Sequence, residues 1–284
     1  MPTLTLLIDN TVRERGLLAQ HGFSVWCEHA GSRVLFDTGA EGFVLRANTE
    51  QLGIDLATAT DIVLSHGHWD HGGGLLAAMD QAPAARVWIP QGALMPRWHR
   101  GEDGTRDIAL QHPVRERLVV ERARWAETSG PVQIADGIWL TGPVGGIRPA
   151  WTHKGLVRNE IMDIPDDVPE EQALVLDTRE GLVVVVGCAH FGIANLLGFL
   201  GRFFPGRPLR SLVGGLHLES APDTEIKLMA EQLGAAGVGC VVPCHCSGPS
   251  AAWRLAAAGW QTKQTSREIG CEPGRVGKVL HFPD

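Results

Sequence analysis

Three histidines and an aspartate fall within residues 65–71, Ser65-His66-Gly67-His68-Trp69-Asp70-His71. Residues two apart on an extended chain share a face, so His66 and His68 can grip one metal ion. Asp70 and His71 then serve a neighbouring position about 3.5–4 Å away, the usual spacing in two-metal sites. Imidazole nitrogen and carboxylate oxygen suit zinc first, and also manganese or iron. As a loop of capping residues alone, the segment would crowd three imidazoles that repel one another on protonation.

Three later histidines each follow an apolar run: His190 after LVVVVGCA, His217 after SLVGG and His245 after CVVPC. Strand ends form the rim where layered α/β folds collect their ligands. One such histidine is more often structural; three after successive strands, beside a complete H-x-H-x-D-H, read as a site. The ligand count gives the first metal His66, His68 and His190, and the second Asp70, His71 and His245. Each metal then keeps an open position, the mark of a catalytic site.

Asp70 is also a candidate catalytic group that holds hydroxide and relays its proton. His217 is the candidate for binding substrate or protonating the leaving group. Cys188, two residues before His190, is either a bridging or terminal thiolate ligand or a buried inert thiol. Asp37, closing VLFDTG, either accepts the second ring N–H of a metal-bound histidine or caps a turn. Gly214 and Gly215 would let backbone N–H groups approach an anionic substrate. His21, His29, His99, His112, His153 and His281 have no strand-end placement and read as surface or core residues, with His99 and His153 near a lid.

These groups need elements to hold them. FSVWCEH, the turn AGSR and VLFDTG read as a hairpin, FVLRANTEQLGI as an amphipathic helix, and DIVLS as the short buried strand that delivers His66. LLAAMD begins a helix and ARVWIP is a strand. Residues 91–127 break the rhythm with seven arginines among six acidic residues. They read as a partly helical insertion or lid whose arginines could clamp phosphate, or else as a solvated excursion of mixed charge. Strands resume at VQIADGIWLTG and in a hairpin about residues 178–181. Three strand–loop–helix units follow: LVVVVGCAH into FGIANLLGFLGRFF, SLVGGLHL into PDTEIKLMAEQLGAAG, and CVVPCHCSG into PSAAWRLAAAG. Buried strands alternating with helices indicate an α/β layered fold, taken as one domain over residues 1–284.

The chain has 284 residues, 44% of them hydrophobic, and a net charge of −7. That charge gives no general attraction to nucleic acid or anionic membrane, so neither is an expected partner. No run reaches the ~18 apolar residues of a membrane span. Cys27, Cys188, Cys240, Cys244, Cys246 and Cys271 are irregularly spaced and no export signal is evident, so they read as reduced thiols in a cytoplasmic protein. A small molecule is the expected partner, with a homo-oligomer left open.

The set of Asp37, His66 to His71 and His245 resembles the metallo-β-lactamase fold superfamily, and the similarity runs through nearly the whole chain. The segments SHGHWDHGGGL, GCAHFGIANLL, GGLHL and PCHCSG, with the opening IDN, resemble one branch. That branch is labelled 7,8-dihydropterin-6-yl-methyl-4-(β-D-ribofuranosyl)aminobenzene-5'-phosphate synthase. Leu216 and Ser247 depart from its usual aromatic and threonine. The resemblance implies an αββα four-layer sandwich with two divalent metal ions. The function expected is hydrolysis or group transfer on a small, anionic or phosphorylated molecule through a metal-bound hydroxide. The alternatives are an iron-dependent redox enzyme of oxygen or sulfur chemistry, and a non-catalytic metal-dependent sensor.

Overall fold

The computed structural model describes residues 1–146, 155–161, 164–259 and 273–282; His153 and Cys271 lie outside them. The first half carries β1 (Thr3–Ile8), β2 (Ser24–His29), β3 (Ser32–Phe36), α1 (Gly42–Gln51), β4 (Asp61–Val63), α2 (Trp69–Gly72) and α3 (Leu75–Gln81). It continues with β5 (Arg86–Pro90), β6 (Trp98–Gly101), β7 (Gly104–Asp107), α4 (His112–Val120) and β8 (Trp125–Thr128). The second half carries β9 (Val132–Ala135), β10 (Ile138–Leu140), β11 (Leu156–Val157), β12 (Leu174–Thr178), β13 (Gly181–Val186) and α5 (Ile193–Phe203). Then come β14 (Leu209–Gly215), α6 (Asp223–Ala235), β15 (Cys240–Cys244), α7 (Ala251–Ala257) and β16 (Val279–His281).

Period-two alternation sets the layers. Val25 and Cys27 of β2, Val34 and Phe36 of β3, and Val183 and Val185 of β13 point into one core shared by two sheets. Their neighbours Trp26 and Leu35 turn outward, onto a second core with Val44 and Leu45 of α1 and Leu75 and Met79 of α3. Val184 and Val186 turn outward on the other side, against Leu196 of α5, Ile226 of α6 and Leu255 of α7. The result is helix, sheet, sheet, helix: the αββα sandwich. The first sheet has seven strands in the order β16-β1-β2-β3-β4-β5-β8, and the second six in the order β15-β14-β13-β12-β10-β9. β3, β4, β5 and β8 run parallel, as do β13, β14 and β15. Their C-terminal ends therefore gather on one edge of the molecule.

Residues 91–127, read as a partly helical insertion, carry β6, β7 and α4 and run into β8. β8 is the edge strand of the seven-stranded sheet, paired with β5. β6 and β7 form a hairpin that joins β11 in a small third sheet. The chain after this hairpin is tied to the histidine-rich loop through Trp69 N–H to Ile108 O and Leu110 N–H to Gly67 O, each 3.0 Å. It is a fixed wall at that point. Among the described residues no helix is long and apolar enough to cross a membrane.

Candidate metal centre

Each candidate side chain leaves the end of a strand. Asp37 follows β3, His66 and His68 follow β4, Cys188 and His190 follow β13, His217 follows β14, and His245 follows β15. The turns are tight enough to force unusual backbone. Asp37, Ala189, His217 and His245 have φ of 57°, 56°, 49° and 48°. Non-glycine residues adopt this left-handed region at a cost and tend to do so at functional sites. Close approach also demands glycine at Gly73, where a Cβ would meet the carbonyl oxygen of Ala40 at 2.1 Å.

Hydrogen bonds fix which ring nitrogen of each histidine faces inward. Ser65 Oγ donates to Asp37 Oδ2 at 2.7 Å, so His66 Nδ1, 2.9 Å from that hydroxyl, is the donor to it. His71 Nδ1 donates to Asp37 Oδ2 at 2.7 Å. His245 Nδ1 donates to Asn10 Oδ1 at 2.9 Å, while its backbone N–H donates to Asp9 Oδ2 at 2.8 Å. All three rings thereby turn Nε2 toward the centre, where a bound cation would take the place of any proton on it.

Two donor groups result. His66 Nε2 lies 3.0 Å from His68 Nδ1, and His190 completes a set whose ligand atoms lie within 4.8 Å of one another. On the other side Asp70 Oδ2 lies 3.8 Å from His71 Nε2 and 3.3 Å from His245 Nε2. Between them stand Cys188 Sγ, 3.2 Å from His71 Nε2, and Cys246 Sγ, 3.4 Å from Cys188 Sγ. His217 Nε2 lies 3.4 Å from His190 Nε2.

The donors fit divalent cations. Two nitrogens bound at ~2.05 Å around a tetrahedral ion stand about 3.3–3.4 Å apart, close to the 3.0 Å between His66 Nε2 and His68 Nδ1 and the 3.3 Å between His245 Nε2 and Asp70 Oδ2. His68 Nε2 is buried without a hydrogen-bond partner. Burial holds the His66 imidazolium well below its ordinary range and that of His68 at about 3, so both rings are neutral and can ligate. His71 goes the other way, to about 9: burial opposes its charge, but Asp37 and Asp70 outweigh it. Asp70 ionises well below the usual range, because His71, His21 and His245 outweigh the effect of its burial.

Three contributors escape a reading of the sequence. His21, taken there as a surface or core residue, places Nε2 3.2 Å from Asp70 Oδ2 and joins Asp70 and His245 in a further donor group. Glu171, fully buried, accepts the N–H groups of Cys188 at 2.7 Å, Ala189 at 2.9 Å and His190. Burial raises its pKa to about 7. It stands 3.8 Å from His66 Nδ1, so one carboxylate braces the strand end that carries Cys188 and His190. Asn10 was signalled only by the opening IDN segment.

Gly214 and Gly215 stand where the backbone is closely approached. The Gly215 N–H is spent on Gly187 O at 3.0 Å. A Cβ there would meet Cys246 Sγ at 2.6 Å, and one on Gly214 would meet Val186 O at 1.9 Å. The arginines of residues 91–127 are mostly committed elsewhere. Arg97 is buried in ion pairs with Asp166 and Glu170, Arg117 pairs with Asp80 and Glu121, and Arg124 with Glu121. Arg106 and His99 do reach the site, where with Trp69, Ile108 and Leu156 they wall a cavity of about 320 Å³ beside the donors.

The family model of the metallo-β-lactamase superfamily matches residues 19–219. A 7,8-dihydropterin-6-methyl-4-(β-D-ribofuranosyl)-aminobenzene-5'-phosphate synthase of Methanocaldococcus jannaschii is 27% identical over 246 residues, covering 81% of this chain and 82% of its own. An uncharacterised protein of the same organism is 26% identical over 282 residues, covering 98% of this chain and 99% of its own. A crystal structure described as a metal-dependent hydrolase of the β-lactamase superfamily superposes with a TM-score of 0.80 at 30% identity, over 100% of both chains. With the fold, the strand-end donors and these likenesses in agreement, the chain belongs to the metallo-β-lactamase superfamily.

Proposed function

We propose that the chain is a metal-dependent hydrolase or group-transfer enzyme acting on a small anionic molecule, phosphorylated molecules included. The observation that carries this reading is the convergence of His66, His68 and His190, and of Asp70 with His71 and His245, beside a cavity of about 320 Å³, a size suited to a small molecule. His66, His68 and His190 would hold one cation and Asp70, His71 and His245 a second. Zinc is the first choice and manganese or iron the alternatives. When bound, such ions supply Lewis acidity and bring the pKa of water toward neutrality.

The protein's own groups do the rest. Arg106 and His99 line the cavity and would orient an anionic group. Trp69, Ile108 and Leu156 would cover the apolar part and exclude water. His217 lines the same cavity. Burial disfavours its charge, yet Cys246 and Glu171 raise its pKa, so its Nε2 would carry a proton for the leaving atom. Asp70 would receive the proton released on attack. The name of the Methanocaldococcus jannaschii relative, a synthase, supports group transfer, and the description of the solved relative supports hydrolysis. Both need the same anion recognition and proton handling.

The test is metal content of gently purified protein, repeated with His190→Ala and His245→Ala. About two equivalents per chain, falling in each variant, would support the reading and direct activity screens to phosphate esters and lactones. Iron would redirect the search to redox substrates. Protein that neither contains nor binds added metal would overturn the reading.

A further inference from the structure

The five described cysteines divide into two kinds. Cys27, Cys240 and Cys244 are buried in the core between the sheets, on strands β2 and β15, among apolar side chains. Cys188 and Cys246 instead line the cavity beside the donor histidines. Their sulfurs are 3.4 Å apart. That is far from the ~2.05 Å of a disulfide. It is near the ~3.8 Å expected of two thiolates at ~2.3 Å from one tetrahedral zinc.

The surroundings are built around this pair. Cys188 is fixed through its backbone N–H on Glu171 at 2.7 Å, and Cys246 Sγ accepts the His217 N–H at 3.3 Å. Gly215 leaves the room: a Cβ there would sit 2.6 Å from Cys246 Sγ and 3.2 Å from Cys188 Cα. The two sulfurs and a nitrogen of His245 lie within 4.8 Å of one another, and Cys188 Sγ is 3.2 Å from His71 Nε2. A zinc-bound thiolate and imidazole stand about 3.6 Å apart.

We infer that Cys188 and Cys246 act as a thiolate pair on the second cation, making that position a mixed sulfur, nitrogen and oxygen site that favours soft ions such as zinc or cadmium over manganese. The inference rests on the two-cation reading above and adds to it the ligands that set metal preference. Each thiol gives up its proton to solvent when the cation binds, and no electron transfer is involved. Soft thiolate ligands select zinc, whereas carboxylate and water suit manganese.

Cobalt(II) loading of the full, reduced chain tests it, with the near-ultraviolet thiolate-to-cobalt charge-transfer band as readout. The expected result is a band in wild type, weakened in Cys188→Ser and in Cys246→Ser and lost in the double variant. Cys27→Ser, in the core, should leave it unchanged. In parallel, the preference for cadmium over manganese should fall by about tenfold or more in the double variant, at least the loss that a supporting residue alone can cause. Because the wild-type spectrum is decisive, the test does not depend on a variant folding. Two equivalents of cobalt with no such band would overturn the thiolate pair and leave the two-cation reading standing. Failure to take up cobalt would overturn both.

Discussion

The two donor groups are made of different materials and held by different means. His66, His68 and His190 are three imidazoles, and one brace, Glu171, reaches them from the loop before β12. Asp70, His71 and His245 combine a carboxylate with imidazoles and have sulfur beside them. They are held by three separate acceptors, Asp37, Asp9 and Asn10. The first group is a uniform nitrogen set with two of its members in one short loop. The second draws on the ends of β1, β3 and β15 besides the same segment after β4, and each group needs both sheets formed before it exists. Uniform neutral ligands leave a cation its full charge for polarising a substrate; mixed anionic ligands hold it more tightly and soften it. The comparison suggests a division of labour in which the first position activates and the second anchors.

The largest effect that would expose this difference is removal of a ligand. His68→Ala should abolish activity and the first equivalent of metal while leaving a folded protein. His71→Ala should abolish the second equivalent and leave the buried Asp37 carboxylate with Ser65 as its remaining partner. Equilibrium dialysis against zinc, with circular dichroism as a folding control, separates the cases. A metal-replete, active His68→Ala protein would refute the assignment of that loop.

Weakening the braces should give intermediate effects and tell them apart. Asp37 accepts Ser65 N–H on Oδ1 at 2.6 Å, and both Ser65 Oγ–H and His71 Nδ1–H on Oδ2. Asn can offer only one oxygen, so Asp37→Asn must turn an N–H against a donor. Second-sphere losses of this kind typically cost about 10–100-fold in metal affinity, here larger at the second position, whose His71 bonds Asp37 directly, than at the first, whose His66 is reached through Ser65. Glu171→Gln should act on the first position and the Cys188 turn instead, since its single oxygen can accept from Cys188 and Ala189 or from His190, not from all three. Stepwise zinc titration resolves the two affinities. Equal loss at both positions in either variant would mean that the braces are not separate.

The layers and the histidine loop are legible in the sequence because local rules decide them. Alternation in SVWCEH and GLVVVV states which face of each strand is buried, and the spacing of His66, His68, Asp70 and His71 is short enough to be one unit. Asp37 and the later histidines are legible as strand ends. What escapes is whatever depends on contacts distant in the chain. Glu171 lies in a loop and meets Cys188 and His190 only once β12 and β13 pair. His21 meets Asp70 only because the segment after β1 folds across the rim. The purpose of Gly214 and Gly215 is likewise hidden, because the backbone they admit belongs to another strand. The arginine count of residues 91–127 misleads for the opposite reason: charge pattern cannot say that Arg97 is buried between Asp166 and Glu170 while Arg106 faces the cavity.

That last contrast gives the smallest expected effect and the sharpest probe of the substrate. Arg97 belongs to the frame. Replacing it by methionine would leave the buried Glu170 without its cation and Asp166 with Arg158 alone, a loss of about 3–5 kcal/mol in stability, read as a lowered denaturation midpoint. Arg106 is on β7 and lines the cavity. Arg106→Met should leave the midpoint and both metal equivalents unchanged. If Arg106 binds the anionic part of the substrate equally in ground and transition states, the variant raises KM with kcat unchanged. One charge-assisted hydrogen bond of about 1.5 kcal/mol corresponds to roughly a tenfold rise. An unchanged KM on anionic substrates would mean that the anion is held at the donor side of the cavity. A fall in kcat with constant KM would instead assign Arg106 to charge that develops only in the transition state.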